Sequence, residues 1–258
     1  MATASTTTTT TTTTTPTERL LQAVHECWTR RFGNQQSRAT LPEDALVEAT
    51  CATHAMTAAL RDGADANACY PDGTPVLYRA AELRSVALVR TLLDASAAVH
   101  ALTPSGLHAL SAAVCRGAPA TVALLLKAGA CASSTDAVGR SPLYFLALRR
   151  SQDHEADQTD NARGDHNLIL NLLVTHGADV NMRHSLRGSV AVTALHVAAF
   201  VNDNAAAVRA LLRYGADPRT ETANGATALD YASCNTCRTL LSDRLSHFAE
   251  PDPVAGTN

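Results

Sequence analysis

The sequence predicts an all-α solenoid of helix-turn-helix units stacked in a row, and three observations carry that prediction. The stretch Leu124-Leu125-Leu126-Lys127-Ala128-Gly129-Ala130 returns in variant form at residues 59–65, 92–98, 172–179 and 211–217. From turn residue to turn residue, Gly63 to Ser96 is 33, Ser96 to Gly129 is 33, Gly129 to Gly177 is 48 and Gly177 to Gly215 is 38. A period near 33 is that of a stacked array. A leucine then follows fourteen residues after four of these turns, at Leu77, Leu110, Leu143 and Leu229, and eighteen after Gly177, at Leu195. Finally, alanine pairs such as Ala80-Ala81 and Ala198-Ala199 let a first helix lie close to its neighbours, while the Leu-Leu pairs of a second helix fill the space between units. Each unit alone leaves an apolar face wet, and stacking buries it. Gly63, Gly129, Gly177 and Gly215 follow the second helix, where a helix stop commonly needs positive φ.

Around the marker leucines the chain reads Pro75-Val76-Leu77-Tyr78-Arg79-Ala80-Ala81, Ser141-Pro142-Leu143-Tyr144, Thr193-Ala194-Leu195-His196-Val197-Ala198 and Thr227-Ala228-Leu229-Asp230. These segments resemble the T-P-L-H-x-A signature of ankyrin repeats, and the resemblance covers roughly residues 45–245. It implies an ankyrin-repeat solenoid of five to six units joined by β-hairpin loops, with a concave face formed by the hairpin tips and the exposed side of the first helices. Carried onto this chain, that face holds Arg79, Glu82, Cys115, Arg116, Arg140, Phe145, Arg149, Phe200 and Tyr231. Arginine forks and exposed aromatics are frequent interface anchors, so the expected partner is another protein with an acidic surface or peptide. Thr193 and His196 match the family's T and H positions, which implies hydrogen bonds tying one unit's turn to the next.

Composition agrees with a binding protein. A chain of 258 residues with a formal charge of −3 has no strong field to attract nucleic acid or an anionic membrane. Its seven cysteines are an odd number with no signal peptide ahead of them, which points to a reducing compartment. The cytoplasm is expected, with the nucleus as the second location. No apolar run approaches the roughly 20 residues of a membrane span.

In chain order, residues 1–15 hold an unbroken threonine run, Thr6 to Thr15, with no apolar pattern to bury and an expected disordered tail. Residues 16–33 form a helix with Leu20, Leu21, Val24 and Trp28 at helical spacing, read as a cap on the first unit, with partner docking through Trp28 as the alternative. The opening Leu41-Pro42-Glu43-Asp44-Ala45-Leu46 resembles the start of an F-box, but the turn at Gly63 follows too soon for that fold. Residues 41–245 are the repeat domain, opening with a degenerate unit. Leu143 to Gly177 is 34 residues against 19 from Leu110 to Gly129, so fifteen have been added, at about 151–165. That insertion carries Asp153, Glu155, Asp157, Asp160 and Asp165 against Arg163 and reads as a solvated acidic loop. It lacks the glycine and spacing of an ordered calcium loop. Residues 181–190 lengthen the next hairpin, 224–245 form a shortened polar cap, and 249–258 form a second disordered tail.

Nothing in this pattern arranges a nucleophile, base and orienting acid, so no enzyme activity, cofactor or metal is expected. Cys234 and Cys237 form a lone C-x-x-C; with His247 they would make three ligands where structural zinc needs four, and a redox pair would want a thioredoxin-type βαβ context. The expected function is a non-catalytic protein-interaction module or scaffold, monomeric when free. The alternatives are an adaptor recruiting substrates to a ubiquitin ligase or similar complex, and a thiol enzyme using Cys234 and Cys237.

Overall fold

The computed structural model describes residues 14–32, 42–149, 161–186, 190–201 and 205–249. The threonine run before residue 14, most of the acidic insertion and the tail beyond residue 249 lie outside the described residues. Among the described residues eleven helices follow in order: α1 (Pro16–Phe32), α2 (Pro42–Arg61), α3 (Val76–Glu82), α4 (Val86–Asp94), α5 (Ala109–Arg116), α6 (Pro119–Lys127), α7 (Pro142–Leu148), α8 (Asn161–Thr175), α9 (Ala194–Phe200), α10 (Ala205–Arg213) and α11 (Asn235–Ala249). One two-stranded antiparallel hairpin, β1 (His184–Leu186) with β2 (Val190–Val192), pairs His184 with Val192.

The helices form two layers. α1, α3, α5, α7 and α9 touch in that order along one layer, and α2, α4, α6, α8, α10 and α11 along the other. This is an all-α solenoid in which each unit leans chiefly on its neighbours. Alanines make the first layer possible: Ala80, Ala81, Ala112, Ala113, Ala198 and Ala199 are all buried, and a residue without a long side chain lets helix backbones approach. Leu92, Leu125, Leu173 and Leu211 fill the space between layers, each burial contributing roughly 1.5–3 kcal/mol.

Helix ends follow from capping residues. Ser85 and Ser141 sit at the N-caps of α4 and α7, where their hydroxyls accept from the N–H of Leu88 and Tyr144, and Pro119 and Pro142 stand in the first turns of α6 and α7, where no N–H is missed. The second helices end in a left-handed residue. At Ser96 that residue is not glycine, yet its φ is +63°, a conformation that costs an L-residue roughly 1–2 kcal/mol.

Two features depart from the spacing argument. α1 packs along α2 and onto α3, in the place a first helix takes in the later units. Leu20 and Val24 are fully buried, and Trp28 Nε1–H donates to Glu82 at 3.0 Å. Residues 161–165, counted into the insertion, belong to the first turns of α8, because a length difference reports how many residues were added and not where the helix resumes. In the last unit the segment after Thr227 makes only a turn. Asp230 accepts from Thr227 N–H at 2.7 Å and from its hydroxyl at 2.9 Å, and the chain then anchors through Ser233 N–H on Ala199 O at 3.1 Å.

The T and H positions tie units together. His196 Nδ1 accepts from the Thr193 hydroxyl at 2.8 Å and from Thr193 N–H at 3.2 Å, and Nε2–H donates to Ala226 O in the next turn at 3.4 Å. One unit earlier Tyr144 stands where the histidine would be, and the contact runs backwards. His184, from the following hairpin, donates Nδ1–H to Gly139 O at 3.1 Å and accepts from the Ser141 hydroxyl at 3.4 Å. Its ring meets the Tyr144 ring edge-on at 5.4 Å.

Candidate partner-binding surface

The first-layer helices set the candidate surface, because each of them ends at the same side of the array. Five residues beyond the marker leucines Leu77, Leu110, Leu143 and Leu195 stand Glu82, Cys115, Leu148 and Phe200. Cys115 is exposed, Leu148 is 46% exposed and Phe200 67%. One residue further on come Arg116 and Arg149. Three consecutive units thus leave the same position exposed, at Cys115, Leu148 and Phe200, and in two of them an arginine comes next in sequence. Arg149 lies directly against Gly117, where a Cβ would collide with its guanidinium carbon. Gly117 also holds φ +63° as the C-cap of α5, a backbone conformation that favours glycine there.

The remaining residues assigned to the face, and Arg116 with them, are engaged within the molecule. Glu82 takes Trp28 Nε1–H and an Arg79 N–H, at 3.1 Å, on one oxygen, and an Arg116 N–H at 3.2 Å on the other. Arg79 also reaches Asp72 at 2.9 Å and lies 4.5 Å over the Trp28 ring. The Thr74 N–H bond, with the Arg79 contact behind it, holds the Asp72 carboxyl below its ordinary range. Burial pushes the Tyr78 phenol up to about 12, with the Glu82 charge adding to it. Helix α1, α3 and α5 are thus locked through one half-buried carboxylate, and spacing along the chain does not reveal such a knot between residues 54 and 34 apart.

Arg140 and Phe145 form a second closed group. Arg140 pairs with Asp136 at 2.7 Å and lies 4.8 Å over the Phe145 ring, which is only 8% exposed. Phe145 is therefore buried beneath a guanidinium instead of standing on the surface, since α7 turns that position toward the neighbouring unit. Burial alone would raise the Asp136 carboxyl, but the bonds from Arg140 and from Val138 N–H outweigh it and hold it below the usual value. Tyr231 is half-buried against His196, ring to ring at 5.8 Å. Leu148 was missed by sequence reasoning, although it has the same offset from its marker leucine as Phe200.

No group of three or more His, Cys, Asp or Glu close enough to hold a metal ion occurs among the described residues. No helix among them is long and apolar enough to cross a membrane.

Residues 160–251 of the solenoid match ankyrin repeats, through the family model "Ankyrin repeats (3 copies)". Human BCL-6 corepressor-like protein 1 is 43% identical over 88 residues, which is 33% of this chain and 5% of that protein. Its mouse counterpart is 44% identical over 90 residues, 34% of this chain and 5% of the mouse protein. The chain therefore spans about 5% of the length of the curated relatives it matches. Ankyrin repeats are protein-interaction units, and the repeats of this chain continue the same paired-helix pattern through α3, α4, α5 and α6 ahead of the matched region.

Proposed function

We propose that this ankyrin array is a non-catalytic scaffold that binds a protein partner across its first-helix face, with Leu148 and Phe200 entering apolar pockets of the partner and Arg116 and Arg149 meeting acidic groups beside them. The observation that carries the reading is the equivalence of Cys115, Leu148 and Phe200: three consecutive units leave the same position exposed, and two of them place a large apolar side chain there. Scattered exposed apolar residues are ordinary, whereas exposure repeated at one register position of adjacent repeats supports an interaction site. A corepressor-type assembly in the nucleus is the setting that the relatives' name supports, alongside the cytoplasm. The ubiquitin-ligase adaptor reading needs a second docking element. Leu20, Val24 and Trp28 of α1 are occupied by the molecule's own packing, which leaves the C-terminal helix α11 as the element that reading would use.

The test compares the full chain with a Leu148→Glu/Phe200→Glu variant and an Arg116→Glu/Arg149→Glu variant as baits in quantitative affinity capture, with circular dichroism confirming equal helix content. The same partner should be retained by wild type and lost by both variants, since an anchor of this kind is worth about 2 kcal/mol, or roughly 30-fold in affinity. A partner held equally by all three folded proteins refutes this face.

A further inference from the structure

Helix α11 opens on sulfur. It begins at Asn235, which puts Cys234 in the N-cap place and Cys237 at the third helical position. Cys237 N–H donates to Cys234 Sγ at 3.2 Å, the bond a capping serine or aspartate oxygen ordinarily accepts. The Cys234 thiol in turn donates to Cys237 Sγ, and the two sulfurs are 2.9 Å apart. Cys234 is half-buried and Cys237 fully buried, so one thiol meets solvent and the other stands directly behind it. The segment is held firmly. Ser233 binds Ala199 O through its N–H and its hydroxyl, Arg238 Nε–H donates to Ala232 O at 3.2 Å, and Leu241, one turn on from Cys237, is buried.

We propose that Cys234 and Cys237 are a redox-active dithiol that exchanges with small-molecule disulfides of the glutathione type. Cys234, as thiolate, attacks one sulfur of glutathione disulfide, forming a Cys234–glutathione mixed disulfide and releasing one glutathione thiolate. Cys237 passes its proton to the glutathione thiolate just released, and its sulfur attacks the Cys234 sulfur, forming the Cys234–Cys237 disulfide and releasing the second glutathione. Two electrons pass from the protein dithiol to glutathione disulfide, and two glutathione thiols leave. Two independent features support this division of labour. Negative charge on the outer sulfur faces the N–H groups and positive end of a fifteen-residue helix. The inner sulfur must close by only about 1 Å to reach bonding distance, so the second step needs no unwinding of α11. No thioredoxin fold is required for this; a capped helix start with a buried second thiol supplies the same local elements.

The full chain is equilibrated in buffers of reduced and oxidised glutathione, quenched with acid, alkylated and digested with trypsin. Cleavage after Arg219 and Arg238 leaves both thiols on one peptide, residues 220–238. The wild-type peptide should become two hydrogens lighter and refuse alkylation, reverting when reductant is added. Half-oxidation should occur at a glutathione disulfide concentration about tenfold or more below that which half-modifies the exposed, solitary Cys69, because the second step is intramolecular. Cys237→Ser should stop at glutathione on Cys234. Cys234→Ser, which keeps a capping oxygen and hence the helix start, should leave Cys237 an unmodified thiol. A wild-type peptide that takes two alkyl groups at every ratio, or one that accumulates glutathione on Cys234 without forming the internal disulfide, overturns the proposal.

Discussion

Acidification to about pH 4 removes stability from this array through the histidines it keeps neutral, and His166 offers the sharpest measurement. His166 is buried in α8, and that burial, with the Arg149 charge adding to it, pushes its pKa from 6.5 down to about 4. Between those two values the unfolded chain binds a proton that the folded chain refuses. The free energy of unfolding therefore falls as pH drops through 6.5 and levels off below about 4. At about 1.4 kcal/mol per pKa unit, the interval corresponds to roughly 3 kcal/mol, a large share of a domain's stability. The assay is urea unfolding followed by circular dichroism from pH 7.5 to 4, on wild type and on His166→Gln, whose amide does not titrate. Wild type should lose roughly 3 kcal/mol more than the variant over that range. Parallel pH profiles, or a His166 ring that takes up its proton near pH 6.5 in an NMR titration, would refute the reasoning.

Two stability predictions follow from single side chains. Ser96→Gly relieves a residue held at φ +63° and should raise the unfolding free energy by about 1 kcal/mol, less whatever the freer unfolded chain takes back; an unchanged urea midpoint would show that this turn is not strained. Thr121 has a buried hydroxyl without a hydrogen-bond partner, so Thr121→Val, of nearly the same shape, should stabilise by about 1 kcal/mol, and a lower melting temperature would reveal an acceptor that Val cannot supply.

Much of the architecture was legible because a repeat writes the same physics several times. Leu77, Leu110, Leu143 and Leu195 set the register, the alanine pairs marked the first layer, and Thr193 with His196 foretold a tie between units that the bond to Ala226 supplies. The surface was legible only in part. Register put Phe200 at an exposed position, but it could not tell that Arg79 and Glu82 answer Trp28, which is 54 residues from Glu82. Which carboxylate meets which guanidinium depends on distances across units, and a period is silent about those. Phe145 misled for a related reason: an aromatic in a first helix reads the same whether α7 turns it to solvent or to the next unit. Where Tyr144 replaces the signature histidine, His184 makes the tie from the following hairpin, which the repeat pattern does not announce.

That reversed contact has a consequence for how the molecule comes apart. Neutral imidazole is the only form that can accept from Ser141 at His184 or from Thr193 at His196, and burial lowers the pKa of both rings. These two rings and His166 all sit in the C-terminal half of a chain whose contacts run mainly from neighbour to neighbour. Acid thus acts as a seam-ripper: three of the rings that burial keeps neutral sit at the joints around α8 and α9, with His108 at the start of α5 as a fourth.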